Sequence, residues 1–291
     1  MSDQANTTGD SENYSDVHVH LQSTLNPYGA QELLIQGRRA GIDRFVCSGT
    51  SPNDWDDVVL LAHGEPDVYP SFGVHPWYVD ALDESWKARL WRLCTYTRAA
   101  NGRRPAVGEI GLDFSLRNAN KPLQEKIFNL QLDLAIDQEL PVIVHCVRAS
   151  GAISSQIERL GRVRLVLFHG FSESKEIVKQ WSKYDNFYFS FSAENILSPS
   201  PRVLAMLQAV PLDRILFETD QPGPLRNKQP SSIDEASHSN IIRTPALIGQ
   251  LVQTLARLRK VDTNDFVTAI RRNGDRFFAA WPLFSIEGVK P

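Results

Sequence analysis

The sequence predicts a single (β/α)8 barrel of the TIM type, an α/β fold, and three observations lead to it. After residue 15 the chain alternates short apolar runs with amphipathic stretches, and it does so eight times. Eight strands separated by helices imply parallel pairing, because each crossover needs a helix to return the chain. No glycine-rich phosphate loop follows the first strand, which disfavours an open dinucleotide-binding sheet. The length of 291 residues also suits a closed barrel, which typically needs about 250.

The predicted strands are short runs rich in β-branched and aromatic residues. They are residues 16–21, 43–48, 68–74, 106–110, 141–146, 164–169, 187–192 and 214–219. Predicted helices lie near 30–40, 53–63, 84–100, 121–139, 151–160, 173–183, 201–209, 245–259 and 263–280. In the fourth of these helices, Ile127, Leu130 and Leu134 recur at the spacing of one helical face.

Two segments lie outside this alternation. Residues 1–14 are polar and acidic, and we expect a disordered tail there, so that residues 15–291 form the barrel domain. Residues 221–243 are predicted to form a long loop after the eighth strand, at the end of the barrel where active sites lie. Either segment could bind a protein partner.

Composition limits the class of function and the compartment. Lys and Arg total 31 against 34 Asp and Glu, which gives a net charge of −3. A protein that coats duplex DNA non-specifically is usually basic, so this class of function is disfavoured. Three cysteines without paired spacing indicate reduced thiols. The sequence shows neither a signal peptide nor an apolar run of about 20 residues. We therefore expect a soluble, intracellular protein, cytoplasmic or nuclear, that does not bind membranes.

Side chains able to bind a metal lie at the predicted C-terminal strand ends, where barrel enzymes carry their catalytic groups. His18 and His20 end the first strand. Because strand side chains alternate with period two, both point to one face and lie about 6.6 Å apart. The other strand-end candidates are His75, Glu109, His145, His169 and Asp220.

The same alternation predicts an apolar floor beneath this polar rim. The predicted floor residues include Val107, Ile143, Leu165 and Leu167. Asp16 and Glu218 share the inward face one layer deeper, where a carboxylate could accept the second ring N–H of a ligating histidine. Cys146 and Phe168 are expected to face the helices.

Four histidines, one glutamate and one aspartate suit Zn²⁺, Mn²⁺ or Co²⁺ rather than Ca²⁺, which prefers oxygen ligands. Six ligands are too many for one tetrahedral ion with an open position, so we expect two ions bridged by Glu109. His18, His20 and Asp220 would hold one ion, and His145 and His169 the other. Such a pair lowers the pKa of a bound water and stabilises the attacking and leaving oxygens of an in-line displacement. Asp220 could also accept the proton of that water.

Six motifs in this order resemble the TatD family, the metal-dependent deoxyribonuclease branch of the amidohydrolase-like barrels. They are DVHVHL at 16–21, GVHPW at 73–77, VGEIGLDF at 107–114, PVIVHC at 141–146, FHGFS at 168–172 and ETDQP at 218–222. The resemblance covers nearly all of 16–280, including a stretch from Asn273 to Phe277 that is similar to the closing signature of the family. It implies a barrel that hydrolyses phosphodiester bonds in DNA, typically trimming single strands from the 3′ end, with two divalent ions (Mg²⁺, Mn²⁺ or Zn²⁺).

The resemblance assigns metal ligation to His18, His20, Glu109, His145, His169 and Asp220, and it places His75 near the substrate phosphate. Many members read HCRDA after the fifth strand, whereas here Val147 precedes Arg148, so the arginine lies one position later. Where members often carry Asn-Glu-Pro after the eighth strand, residues 227–230 read NKQP. These departures resemble a eukaryotic subgroup, some of whose members bind cell-cycle machinery.

Predicted substrate contacts lie in the loops at the mouth of the barrel. Arg148 and Arg226 could bind phosphate, and Trp77 could stack on a terminal base. Further candidates are Tyr78, Phe114, Arg117, Lys121 and Lys228. Three functions stay open: a phosphodiesterase acting on the end of single-stranded DNA, a hydrolase of another amide, ester or phosphate (including aminoacyl groups on tRNA), and an interaction protein with an inherited metal site.

Overall fold

A computed structural model describes residues 13–23, 29–221 and 245–285. Within these ranges, eight parallel strands form one sheet in which the order along the sheet follows the order along the chain. The strands are β1 Tyr14–Val19, β2 Ile42–Ser48, β3 Val68–Phe72, β4 Ala106–Asp113, β5 Val142–Val147, β6 Val166–Phe168, β7 Phe187–Phe191 and β8 Ile215–Phe217.

The first and last strands lie side by side and nearly close the ring. The Asp220 N–H donates to His18 O at 3.0 Å, and the His20 N–H donates to Gln221 O at 2.8 Å. Helices connect consecutive strands on the outside of the sheet. The prediction of a (β/α)8 barrel is confirmed.

The helices agree with the predicted positions to within a few residues at most ends, except that the helix Ala193–Ile196 has no predicted counterpart. They are α1 Gly29–Arg39, α2 Trp55–Gly64, α3 Trp86–Tyr96, α4 Lys121–Asp137, α5 Ser150–Ser154, α6 Ile157–Leu160, α7 Lys175–Trp181, α8 Ala193–Ile196, α9 Pro201–Ala209, α10 Ile248–Arg259 and α11 Thr263–Ala279. The predicted fifth helix is divided into α5 and α6, and between them the Ser155 hydroxyl donates to Ala152 O, a bond that competes with the helical ladder. Among the described helices, none combines the length and the hydropathy that a membrane span requires.

The predicted tail and loop fall largely outside the described residues. β1 begins at Tyr14, two residues before the predicted strand, so Tyr14 belongs to the barrel and not to a tail. Its side chain is buried, and its N–H donates to Gly41 O at 2.7 Å. Residues 1–12 and 222–244 are not among the described ones, so the remainder of both predictions stays as stated.

The barrel interior has an apolar floor, as the alternation of side chains predicts. Ile143, Leu165 and Leu167 lie in one inner cluster, whereas Phe168 lies in the outer layer against the helices and Cys146 packs on that layer. The lower end of the barrel is closed by aromatic residues of α11 and of the segment after it. These residues are Phe277, Phe278 and Trp281, which pack against Tyr69 and Tyr188.

The prediction for Val107 is wrong. Val107 lies in the outer layer, and Ala106 takes its place in the floor. The register between β4 and β5 shifts between Val107 and Ile110. Because such a bulge displaces the inward and outward pattern by one residue, Glu109 points inward together with Ala106.

Candidate metal centre

The six predicted ligands converge at the C-terminal end of the barrel. His18 belongs to β1, Glu109 to β4 and His145 to β5. His20 and His169 directly follow β1 and β6, and Asp220 follows β8. The parallel topology carries all of these strand ends to one rim, which is why residues distant in sequence meet there.

Four of the donor atoms form a first cluster. Nε2 of His18 lies 3.5 Å from Oε2 of Glu109 and 3.7 Å from Oδ1 of Asp220. Nε2 of His20 lies 3.6 Å and 3.4 Å from the same two oxygens. The two rings are perpendicular, so their Nε2 atoms approach one point from different directions.

A second cluster lies on the other oxygen of Glu109. Oε1 of this residue is 2.7 Å from Nε2 of His169 and 2.8 Å from Nδ1 of His145. The two histidine nitrogens are 3.2 Å apart. Glu109 therefore faces both clusters, with one carboxylate oxygen toward each.

These donor sets fit a pair of divalent ions. Nitrogen and oxygen atoms separated by these distances can each lie about 2.0–2.2 Å from a shared ion, the usual distance for zinc. Nε2 of His18, Nε2 of His20 and Oε2 of Glu109 are also buried and have no hydrogen-bond partner among the described residues. Buried polar atoms without partners are rare and costly, and an ion between them would satisfy all three.

Ser48, the last residue of β2, supports the first cluster, and sequence reasoning missed it. Nδ1–H of His20 donates to Ser48 O at 2.7 Å, and Nδ1 of His18 lies 3.1 Å from Ser48 Oγ. The carbonyl oxygen can only accept, so His20 carries its proton on Nδ1 and presents the Nε2 lone pair to the cluster. Asp16 does not take this part, because its carboxylate accepts the N–H and hydroxyl of Thr219 instead.

Carboxylates support the second cluster. Nε2 of His145 lies 3.4 Å from Oδ2 of Asp113, a residue that sequence reasoning also missed. Glu218 was expected to meet a histidine, and its Oε1 lies 3.8 Å from Nδ1 of His169. The same oxygen accepts the Gly170 N–H at 2.6 Å.

His75 lies beside the second cluster, at the start of a 3-10 turn over Pro76–Ala81. Its Nδ1 accepts the Trp77 N–H at 3.1 Å, so the neutral ring carries its proton on Nε2, which points at Oε1 of Glu109 from 3.4 Å. Burial lowers the pKa of His75 to about 3. The ring is therefore neutral near pH 7. With its proton on Nε2 and its Nδ1 occupied by the Trp77 N–H, His75 is suited to donate a hydrogen bond and not to bind a metal.

The cluster sets the protonation of its own members. Burial raises the pKa of Glu109, but the charge of His169 and hydrogen bonds from His145 and His169 outweigh burial and hold it well below the usual range. Burial lowers the pKa of His169, yet the nearby Glu109 carboxylate raises it well above the usual value. Burial also raises the pKa of Asp220, whereas the nearby imidazoles of His20, His18 and His169 lower it to about 2.

Gly111 lets β4 approach β5 closely enough for Glu109 and His145 to meet. Its φ is +147°, a conformation that residues with a side chain rarely adopt. A Cβ at this position would lie 2.0 Å from His145 O. Asp220 also has a left-handed backbone, with φ +50°.

Of the predicted substrate-binding residues in the described loops, Trp77 contacts the candidate site, whereas Arg148 does not. The indole Nε1–H of Trp77 donates to Asp113 Oδ2 at 2.7 Å, so this residue forms part of the wall around His145. Arg148 is exposed just after β5 and makes no ion pair within the described ranges. Arg226 lies outside the described residues. Lys121 packs its ammonium group over the Phe114 ring, 4.8 Å from the centroid, so these two candidates contact each other.

Comparison with known proteins identifies a family. The family model described as TatD related DNase matches residues 15–279. The 3′-5′ ssDNA/RNA exonuclease TatD of Erwinia tasmaniensis is 27% identical over 270 residues, which are 90% of this chain and 98% of that protein. The human 3′-5′ RNA nuclease TATDN2 is 25% identical over 283 residues, 92% of this chain but 35% of the relative.

Solved structures share the fold. The crystal structure of YJJV, a TatD homolog from Escherichia coli, gives a TM-score of 0.75 at 23% identity and covers 91% of this chain and 97% of its own. A TatD family hydrolase from Entamoeba histolytica gives a TM-score of 0.72 at 17% identity, with the same two shares of coverage. The likeness in fold therefore extends over nearly the whole barrel.

Proposed function

This chain belongs to the TatD related DNase family of metal-dependent hydrolases, and on that premise we propose that it is a nuclease that hydrolyses DNA phosphodiesters and trims single strands from the 3′ end. The observation that carries this proposal is the pair of donor clusters on the two oxygens of Glu109. Two-metal sites of this kind occur in phosphatases and nucleases.

The donor atoms would divide between two ions. His18, His20 and Asp220 would hold the first, His145 and His169 the second, and Glu109 would bridge them. Mg²⁺, Mn²⁺ and Zn²⁺ are the candidates, and nitrogen-rich donor sets favour Mn²⁺ or Zn²⁺. When bound, such a pair stabilises the charge that develops on the attacking and leaving oxygens of an in-line displacement.

Asp220 is the proposed base that accepts a proton from the attacking water. Its side chain is 27% exposed, whereas those of the other five ligands are at most 11% exposed, so it lies at the open side of the cluster. Its lowered pKa keeps the carboxylate ionised at neutral pH, as an acceptor must be.

His75 and Arg148 are the proposed contacts to the scissile phosphate. The Nε2–H of His75 reaches the edge of the second cluster and can donate to a phosphate oxygen without adding charge. Arg148 adds a positive charge at the exposed rim after β5. A few such contacts suffice at a strand end, which is compatible with the net charge of −3.

RNA is a second candidate substrate, because relatives of this chain are named for action on it. The Erwinia tasmaniensis protein is a ssDNA/RNA exonuclease and the human relative is an RNA nuclease. Both polymers therefore belong in the same assay.

The test is the degradation of single-stranded DNA and RNA of one sequence, each labelled at the 5′ end or at the 3′ end in separate reactions. We expect a ladder from the 3′ end that requires Mg²⁺ or Mn²⁺ and is abolished in Glu109→Ala and Asp220→Ala, both of which should remain folded. Either variant retaining a near-wild-type, metal-dependent rate would show that the site assignment is wrong. A folded, metal-loaded protein that cleaves neither polymer would exclude the proposed activity and direct attention to amide and ester substrates.

A further inference from the structure

The two clusters differ in what holds the outer nitrogen of each histidine. In the first cluster both outer nitrogens meet Ser48, through its carbonyl oxygen and its hydroxyl. In the second cluster the outer nitrogen of His145 meets Asp113, whose Oδ2 also accepts the indole N–H of Trp77. The chain Trp77–Asp113–His145 has no counterpart on the first cluster among the described residues.

Hydrogen bonds hold both carboxylate oxygens and the backbone N–H of Asp113. Its Oδ2 accepts the Trp77 Nε1–H at 2.7 Å, and its Oδ1 accepts the Ser115 N–H at 2.8 Å. Its own N–H donates to Gln124 Oε1 at 3.0 Å, which ties the strand end to α4. The side chain is buried, so the carboxylate cannot turn away from His145 without leaving buried donors unpaired.

Trp77 completes this arrangement from the 3-10 turn that follows β3. Its ring lies edge-on to His75, with centroids 4.8 Å apart, and to His145, with centroids 6.5 Å apart. Its backbone N–H donates to Nδ1 of His75, and its indole N–H donates to Asp113. One residue therefore orients two histidines of the site, through two different donors.

We propose that Trp77 and Asp113 are positioning residues that together orient His145 and set the affinity of the second metal position separately from the first. The proposal rests on the metal-binding function proposed above. A carboxylate that accepts the outer N–H of a ligating histidine fixes the ring and makes it a stronger ligand, and loss of such a partner typically weakens metal binding about 10- to 100-fold. The indole donor in turn keeps the carboxylate in place.

The experiment measures metal binding directly and does not depend on turnover. Metal-free protein is titrated with Mn²⁺ in a calorimeter, and with Co²⁺ while its visible absorption is recorded. Trp77→Phe removes one N–H and keeps a ring, Asp113→Asn removes the charge, and Ser48→Ala removes the hydroxyl next to His18. Trp91→Phe, a partly buried tryptophan on α3 away from the cluster, is the matched control.

We expect two ions per wild-type chain and per Trp91→Phe chain. In Trp77→Phe and in Asp113→Asn one of the two should bind about 10- to 100-fold more weakly. The Trp77→Phe/Asp113→Asn double variant should lose no more than the stronger single change, because the two residues act on the same histidine. Adding Ser48→Ala to Trp77→Phe should weaken both ions, since the two changes act on different positions.

The outcomes separate this inference from the proposed function. A wild-type chain that binds no divalent ion would overturn both. A wild-type chain that binds two ions, with Trp77→Phe binding both as tightly as Trp91→Phe does, would overturn only the positioning pair. Thermal unfolding of each variant checks the fold, and if Asp113→Asn does not fold, the comparison of Trp77→Phe with Trp91→Phe still decides.

Discussion

Replacing Gly111 with alanine tests how closely β4 must approach β5 for the metal centre to form. The methyl group would lie 2.0 Å from His145 O, and the backbone φ of +147° is itself unfavourable for alanine. Such backbone strain costs about 1–3 kcal/mol. Overpacking against an adjacent strand typically adds about 1–3 kcal/mol more, because β4 and β5 must move apart.

Gly102→Ala is the control that separates these two causes. Gly102 also has a positive φ, +76°, but a Cβ there would meet no atom within 4 Å. This variant should lose only the cost of a left-handed backbone, about 1–2 kcal/mol. Gly111→Ala should lose about 2–6 kcal/mol in total.

The assay is thermal unfolding of both variants, followed by metal titration of those that fold. At about 2–4 °C per kcal/mol for a protein of this size, Gly111→Ala should lower Tm by roughly 5–20 °C. It should also weaken any metal binding that the titration detects at the second cluster, whereas Gly102→Ala should bind metal as the wild type does. Equal Tm values for the two variants would refute the argument from close approach.

Three further predictions concern the site and the barrel. Mn²⁺ or Zn²⁺ is added to chelator-treated protein at a free ion concentration about 100 times the dissociation constant of the ion. Each bound ion should then stabilise the fold by about 2.7 kcal/mol, which differential scanning calorimetry measures. Glu109→Ala should show little of this stabilisation. Burial lowers the folded-state pKa of His75 to about 3. Below about pH 6.5 the unfolded chain therefore takes up a proton that the folded chain does not. The free energy of unfolding falls as the pH drops from about 6.5 toward 3. Between pH 7 and pH 5 metal-free wild type should therefore lose about 2 kcal/mol more stability than His75→Gln in urea unfolding, and equal losses would contradict the burial of a neutral ring. Asn273→Leu removes the amide that donates to Leu212 O at 2.7 Å and to the buried Ile215 O at 2.9 Å. Leaving the Ile215 carbonyl without this donor should cost about 1–3 kcal/mol in urea unfolding, and no measurable loss would contradict that role.

The unequal support of the two clusters bears on how the site would fill with metal. Neutral groups of Ser48 hold the outer nitrogens of His18 and His20, whereas a carboxylate holds that of His145. If two ions bind, the two positions are then expected to differ in affinity although they share Glu109. Occupancy should accordingly be measured before any comparison of activity with different metals.

The barrel and the convergence of its ligands follow from the sequence, because both depend on local periodicity and on one topological rule. Period-two alternation places His18 and His20 on one face, and parallel strands joined by helices bring every C-terminal strand end to the same rim. Neither step requires knowledge of a contact between strands. That is why Glu109, His145, His169 and Asp220 could be named without coordinates.

The partners of those ligands depend on tertiary structure. Ser48 reaches His18 across the β1–β2 pair, whose register shifts between Asp16 and Val19. Asp113 reaches His145 across the β4–β5 pair, whose register a bulge between Val107 and Ile110 displaces by one residue. The same bulge is the reason that Val107 leaves the floor. Period-two alternation cannot locate a bulge, since an inserted residue changes which side chains face inward without changing their polarity.

The fold, the rim on which the candidate site lies and the residue types gathered there could therefore be predicted from the sequence. Tertiary structure decided which oxygen of Glu109 faces which histidines, which tautomers His20 and His75 adopt, and that Trp77 donates to Asp113. The physical reason is the separation along the chain over which each effect acts. Hydrophobic periodicity is a property of consecutive residues, whereas a hydrogen bond of about 3 Å requires two distant backbones to be in fixed register.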